Sequence, residues 1–428
     1  IGNLQHGFKL LSSLFFLNST FYLPFIDYYS FHFTLIFFLI FFNYFLLKEI
    51  FSAETHEVSK FLYLFAFIFF NLSFNRLAEY GTDKAGQLLI VILIIKIFQI
   101  TCLERRKNNL DNFLFVIPLL AFCISLKTYF IPYLLLGLTI LFLEEKFIKS
   151  LKIILFSRNF LIIFLALSVY FFHHFISTGC LISPISITCF GDNLEWARGS
   201  KHYSGLSLWL EQWAKAGAGP DFRIEDPYEY IKNFNWIPRW FENYFLEKVV
   251  DQLLILFSAF LVILFLFKKF NFKNTISIFD KKVNFFYSII LIIFLIWITK
   301  HPTLRYGGYP IVFLTLSIPV AILYQKIANR SFFEKRLKIL LILVVVLFNI
   351  KNLDRINDEF KRNDYYKFTN FPFFAIDEKE YYSEKTPSGL VIYKTKGHCW
   401  NTPSPCTSNI EKFGFEIEKK YGFYFFNR

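Results

Sequence analysis

The sequence predicts an all-α polytopic membrane protein with about ten transmembrane helices, a large periplasmic loop and a small α+β C-terminal periplasmic domain. Three observations carry that expectation. Hydrophobic residues fill 55% of the 428 positions and mean hydropathy is +0.43, far above a soluble domain. Ten apolar runs recur, near 29–47, 60–73, 86–102, 112–126, 129–143, 159–177, 251–267, 285–299, 309–325 and 338–350. The loops between them alternate in charge. One set holds Lys48 and Lys60, then Arg105 to Lys107, then Lys146, Lys149, Lys152 and Arg158. It continues with Lys268, Lys269, Lys273, Lys281 and Lys282, and with Lys326, Arg330, Lys335, Arg336 and Lys338. The other short loops hold only Arg76, Lys84, Lys127, Lys300 and Arg305. Nineteen basic residues against five is a positive-inside pattern. It places the second set outside, together with 178–248 and 351–428, as expected for a bacterial inner-membrane protein.

Along the chain, residues 1–28 read as the end of a first periplasmic loop, with an amphipathic stretch from Phe8 to Leu17 and a turn at Pro24. The chain opens at Ile1 and contains no Met, so the expectation is a truncated N-terminus with at least one further helix upstream. Residues 29–177 and 249–350 carry the apolar runs. Several are shorter than the ~20 residues of an upright span, which implies helices buried in the bundle or extended by less apolar turns. Lys96, near the inner end of its run, reads as a snorkelling residue. Segment 178–248 holds five of the seven Trp: Trp196, Trp209, Trp213, Trp236 and Trp240. Its helical stretches, Leu206 to Lys215 and Pro238 to Lys248, have aromatic faces suited to the membrane interface. The tail 351–428 is polar, and the run from Gly389 to Lys394 closes a Pro-Ser-Gly turn as a strand would.

Composition also excludes some functions. The net charge is +13, and 19 of the 46 Lys and Arg sit in the inner loops, where they face anionic lipid headgroups, so no nucleic-acid partner is expected. Phe richness beside abundant Ile, Lys and Asn reads as base composition of the genome. Dinucleotide, P-loop, serine-hydrolase and zincin motifs are absent. Among the six Cys, Cys102 and Cys123 lie in apolar runs and read as small buried hydrophobes. The pairs Cys180/Cys189 and Cys399/Cys406 fall on the side that charge counting makes outer, and an oxidising compartment favours disulfides there. Their spacings lack the short knuckle of zinc sites. No metal site is assigned: His173-His174 has no companion carboxylates, no cofactor is identified, and a divalent cation remains an open alternative.

Two short outer loops concentrate charge. The first, Asn75 to Gly86, brings Arg76, Glu79, Asp83 and Lys84 to a membrane mouth, where ionisable groups tend to line sites. Asp83 or Thr82 equally reads as an N-cap. The second, Lys300 to Pro310, sets Lys300, His301 and Arg305 beside Gly307-Gly308, a pattern suited to a phosphate or to anchoring a helix end. In the large loop, Trp196, Arg198, Lys201, His202 and the run from Glu211 through Trp213 and Lys215 to Arg223 mix aromatics with charge, as a sugar-binding surface or an interface belt would.

These features resemble the GT-C glycosyltransferases, in particular the branch of the protein mannosyltransferases and the lipid A aminoarabinose transferase. The likeness rests on many short helices, a charged loop ending in Asp83 at a helix head, and Arg305-Tyr306 to Pro310 entering a late helix. Ala78-Glu-Tyr-Gly-Thr-Asp83, Ser177 to Pro184, Lys215 to Pro220 and Cys399 to Cys406 also resemble a family of bacterial polytopic proteins of surface-polysaccharide loci. The resemblance implies transfer of a sugar from a polyprenyl phosphate to a glycan, lipid or protein acceptor on the periplasmic face, with an acidic general base. It places the primary base upstream of Ile1. It gives Asp83, with Glu79, a second acidic role, and gives Arg305, with Lys300, His301 and Arg76, the lipid phosphate. The rivals are an O-antigen polymerase or ligase working through Arg198, His202 and Arg223, and a flippase without chemistry. The almost uniformly apolar runs weigh against a translocation path.

Overall fold

The computed structural model describes residues 12–25, 28–73, 83–103, 109–142, 147–194, 197, 199–219, 224–267, 280–324, 330–362, 380–396, 399, 402–403, 405–407 and 416–427. The described residues of all ten apolar runs are helical. The helices are α1 (Leu14–Thr20), α2 (His32–Phe51), α3 (Glu57–Ser73), α4 (Lys84–Phe98), α5 (Asn109–Leu126), α6 (Leu134–Phe142), α7 (Phe147–Leu155) and α8 (Arg158–Thr178). They continue with α9 (Ser200–Ala216), α10 (Pro227–Ile231), α11 (Ile237–Trp240), α12 (Val250–Phe267), α13 (Lys281–Lys300), α14 (Tyr309–Tyr324) and α15 (Arg330–Arg362). Among the described residues, six helical stretches are long and apolar enough to cross a membrane: His32–Phe51, Asp83–Leu103, Arg158–Thr178, Ile237–Leu266, Lys281–Lys300 and Leu304–Tyr324. The chain is thus a mostly helical membrane protein.

It divides into two compact units. The larger comprises Ser12–Leu167 and Leu210–Lys351; the other comprises Ile1–Leu11, Ser168–Trp209 and Asn352–Arg428. The boundary falls inside segment 178–248, so the second half of the expected loop belongs with the helices.

In the larger unit α3 and α4 are central. From Val58 to Phe70 every apolar side chain of α3 is at most 4% exposed, and α3 packs on α2, α4, α12 and α14. A helix apolar on all sides is a buried helix, and α4 matches: its residues from Leu88 to Ile95 are all buried. At one end of this pair Lys96 lies 3.9 Å from Glu49 and Tyr63 Oη donates to Gln99. Lys96 is therefore ion-paired as well as near a helix end. Within the apolar layer Asn43 and Asn71 exchange amide hydrogen bonds of 3.2 and 2.9 Å, a polar pair the apolar runs conceal.

Two expectations about the loop are corrected. Pro238 to Lys248 is not a separate interfacial helix: Ile237–Leu266 runs as one helical stretch of 30 residues, because nothing between Lys248 and Val250 breaks it. Trp236 and Trp240 are 3% and 7% exposed, so they anchor protein rather than lipid. The division between the two units at Lys351 falls within one residue of the expected boundary at 350, inside α15, which runs 33 residues. At 1.5 Å per residue that helix measures about 50 Å, well beyond a hydrocarbon layer of about 30 Å.

The smaller unit contains the described β-structure and both disulfides. Strands β1 (Tyr381–Lys385), β2 (Val391–Thr395) and β3 (Cys406–Thr407) form a sheet in that order, and β4 (Glu416–Lys420) pairs with β5 (Phe423–Asn427). β1 and β2 are antiparallel, with Tyr381 opposite Thr395. Their turn is closed by Gly389 N–H to the Thr386 carbonyl at 2.9 Å, and Gly389 adopts φ +87°, which a residue without Cβ does at little cost. Cys399 is joined to Cys406 and Cys180 to Cys189, with S–S distances of 2.21 and 2.07 Å. The pairing expected from position therefore forms. Tyr203 Oη donates to the Thr178 carbonyl at 2.6 Å, tying α9 to the end of α8 inside this unit.

Candidate functional site

Asp83 stands at the head of α4, the N-cap position, yet its side chain makes no capping hydrogen bond. Its carboxylate reaches away from the helix. Oδ1 lies 3.0 Å from Lys127 Nζ and Oδ2 lies 2.5 Å from Arg305 Nε. The Asp83 side chain therefore does not cap α4; its partners come from two other segments, and Arg76 and Glu79 of the expected cluster lie outside the described residues. Asp83 and Lys127 side chains are 10% and 19% exposed, whereas Arg305 is 57% exposed. Only Nε of Arg305 is engaged. Its two terminal nitrogens have no hydrogen-bond partner among the described residues, so a guanidinium edge with its donor fork remains open to a ligand.

The backbone carrying Arg305 is fixed from several sides. After α13 ends at Lys300, the chain passes through Pro302 and Thr303 into a wide turn over Leu304–Gly308 and on into α14. Trp240 Nε1 donates to the Pro302 carbonyl at 2.6 Å, and Trp297 Nε1 to the Thr303 carbonyl at 2.8 Å. Tyr244 Oη accepts the Leu304 N–H at 2.9 Å. Gln87, one turn beyond Asp83, donates to the carbonyls of Leu304 and Arg305 at 3.3 and 2.7 Å. Tyr133 Oη donates to the Gly307 carbonyl at 2.7 Å. Five side chains thus satisfy a buried irregular segment that would otherwise be costly in an apolar layer. The head of α4 holds Arg305 twice, by side chain and by backbone.

The two glycines of this turn have a packing task. Gly307 and Gly308 are buried. A Cβ on Gly308 would lie 2.7 Å from the Trp297 ring and 2.8 Å from the Thr303 carbonyl oxygen. Gly307 adopts φ +78° with its Cα facing Tyr129. Their small size permits this close packing.

A second group of side chains adjoins Arg305 through Tyr306. The Tyr306 ring centre lies 5.9 Å from Tyr129, 5.8 Å from Trp213 and 5.7 Å from His301. All four rings are half-buried. Glu211, on α9 two residues before Trp213, is 2.6 Å from Lys215 Nζ and 3.7 Å from Lys300 Nζ. Lys215 also lies 5.1 Å over the Trp236 ring, and Tyr230 Oη donates to its carbonyl at 3.1 Å. His301 is held as the neutral imidazole: burial is the largest cause, opposed by Glu211 and reinforced by Lys215 and Lys300, and its pKa falls to about 4. Its Nδ1 is buried with no hydrogen-bond partner among the described residues.

Of the residues singled out in the sequence, Asp83, Arg305, Lys300, His301 and Trp213 therefore meet in one unit. Arg76, Glu79, Trp196, Arg198 and Arg223 lie outside the described residues. His202 belongs to the other unit, where its ring meets Tyr203 at 5.3 Å. Sequence reasoning missed Lys127 and Tyr129 as site members, whereas Glu211 and Lys215 lay within the run Glu211 to Arg223 that it had marked. Lys127 was visible as a rare charge beside apolar runs; nothing local marked Tyr129. Among the described residues no group of three or more His, Cys, Asp or Glu side chains is arranged to hold a metal ion.

A family model described as a domain of unknown function (DUF8201) matches residues 1–313. The chain belongs to that family. The match covers Asp83, Lys127, Glu211, Trp213 and Arg305, and so takes in the whole charged cluster and its aromatic neighbours. Neither the curated proteins nor the solved structures give a match.

Proposed function

We propose that this DUF8201 protein is an integral-membrane glycosyltransferase of GT-C type, moving a sugar from a polyprenyl phosphate to a surface glycan, lipid or protein acceptor. On this reading all ten apolar runs span a bacterial inner membrane, and the Asp83–Arg305 end faces the periplasm. The observation that carries the proposal is Arg305: an arginine fixed by Asp83 and by a clamped backbone, at a helix-bundle end, with its terminal nitrogens unengaged.

Such a group suits the chemistry. As the bond between C1 of the sugar and the phosphate oxygen breaks, the lipid phosphate passes from a singly charged diester to a monoester carrying one more negative charge. The acceptor oxygen forms the new bond to C1 and releases its proton to a base. A donor fork positioned in advance stabilises charge that develops only as the bond breaks, which is the useful kind of binding. Lys127 and Asp83 set its direction. A carboxylate held between two cations is better suited to positioning Arg305 than to accepting the acceptor's proton, so Asp83 acts as a positioning residue. The surplus of positive charge supports an anionic ligand: Lys127, Lys215, Lys300 and Arg305 stand against Asp83 and Glu211.

The test is genetic and chemical together. In the native cell, Arg305→Gln and Asp83→Asn should each remove the glycan product while the tagged protein stays in the membrane. Single-cysteine labelling at Lys201 and Lys152 should report opposite faces. Unchanged glycan with normal membrane levels of Arg305→Gln sinks the reading.

A further inference from the structure

Phosphate chemistry accounts for Arg305, Asp83 and Lys127, but leaves Glu211, His301, Trp213 and Tyr306 without a task. We propose that these four form a sugar-binding subsite next to the lipid phosphate, with Glu211 and His301 taking ring hydroxyls and Trp213 and Tyr306 supplying stacking faces. The inference rests on the glycosyltransferase reading and names where the transferred sugar sits.

Several features favour a polyhydroxylated ring over another ligand. Tyr306 follows Arg305 directly, so its ring is within one residue of the proposed phosphate position. A sugar joined to that phosphate is constrained to the same neighbourhood. Trp213, Tyr129, His301 and Tyr306 are each half-buried rather than sealed, and the ring centres of the first three are 5.7–5.9 Å from that of Tyr306. Half-exposed aromatic faces with a few fixed polar atoms are the usual make-up of a small-molecule site.

The polar atoms are present. Glu211 is 15% exposed and is held by Lys215, which is 5% exposed. Its second oxygen is paired only loosely with Lys300, at 3.7 Å, on a lysine 63% exposed. That lysine is free to swing, leaving a carboxylate oxygen that can accept a hydroxyl hydrogen. The orphan Nδ1 of His301 is a buried polar atom that costs free energy until something bonds to it. A sugar hydroxyl can donate to the unprotonated ring nitrogen or accept from a protonated one, so either tautomer is served.

Interfacial anchoring explains an isolated Trp but not this set. An interface belt does not require a carboxylate held by a buried lysine, nor a histidine nitrogen buried without a partner.

The experiment uses the full chain in nanodiscs and native mass spectrometry. The probes are bare polyprenyl phosphate and a panel of polyprenyl phosphates carrying single hexoses or pentoses. The wild type should bind at least one glycosylated lipid about tenfold tighter than the bare lipid, the yield of one or two good hydrogen bonds. Trp213→Leu should lose that preference and keep the bare-lipid affinity, and His301→Gln should lose the preference. Glu211→Gln should do the same where it folds, and the other two variants stand in if loss of the Lys215 pair prevents folding. Arg305→Gln should weaken both lipids alike. Equal binding of bare and glycosylated lipids by the wild type, or a preference retained in Trp213→Leu and His301→Gln, overturns the subsite while leaving the phosphate site standing. Failure of the wild type to bind any of these lipids overturns the glycosyltransferase reading as well.

Discussion

The Asp83 pairs make a quantitative prediction in which distance and burial disagree. Arg305 is nearer, at 2.5 Å against 3.0 Å for Lys127, and distance alone ranks it as the stronger partner. Exposure reverses the order. Asp83 and Lys127 are both shielded, so at an effective dielectric near 20 their attraction is about 5 kcal/mol before desolvation is subtracted. The net contribution of a charged hydrogen bond of this kind is about 2–3 kcal/mol. Arg305 is 57% exposed, and solvent screening leaves its pair about 1 kcal/mol. Asp83→Asn should therefore cost about 3–4 kcal/mol of stability, most of it through an uncompensated Lys127. The assay is a pair of double-mutant cycles, Asp83→Asn with Lys127→Met and Asp83→Asn with Arg305→Gln, read as thermal unfolding of the purified protein in one lipid environment. Coupling should be larger for the Lys127 cycle. Lipid-phosphate binding should show the opposite order, with Arg305→Gln the more damaging single change. Coupling that is larger for Arg305, or absent from both cycles, refutes the assignment of Lys127 as the structural partner and Arg305 as the available one.

Two other perturbations bear on the same segment. Gly308→Ala places a methyl group against the Trp297 ring and the Thr303 carbonyl, neither of which is a flexible chain end. It should cost about 1–3 kcal/mol and weaken lipid binding by displacing Arg305; a neutral melting temperature would show that the turn repacks freely. His301 sets a pH dependence with a defined sign. Its folded pKa of about 4 lies below the ordinary imidazole value of about 6.5, so between those values the unfolded chain binds more protons. Stability should fall as pH drops through that window and level off below about 4. His301→Gln should flatten this component, measured as the unfolding midpoint from pH 7.5 to 4.5; parallel curves for wild type and variant would remove His301 from the account.

Parts of the site were legible and parts were not, for separable reasons. Asp83, Lys300, His301 and Arg305 stood out because charge is rare beside apolar runs. Trp213 stood out by residue type. Their partners did not, because contact across helices leaves no periodic trace. Arg305 and Asp83 are separated by 222 positions, and the Gln87 bond to the Arg305 carbonyl by 218. The capping reading of Asp83 was as sound locally as the true one, since the residue occupies the N-cap position. Trp236 and Trp240 read as interfacial for the same reason: residue type reports amphipathic character, not which neighbour satisfies it.

By itself the sequence determined the class of the protein, the placement of its apolar runs, and the cysteine pairs that close. Those depend on composition, on segment length and on short chain separation. Only the tertiary structure decided that α3 and α4 are the buried centre, that Asp83 faces two cations, and that the glycines before α14 make room for Trp297. The physical reason is that a lipid tail and a neighbouring helix are equally apolar, so hydropathy cannot tell the outside of a membrane bundle from its core. Polar side chains are fixed by partners that folding alone brings within reach.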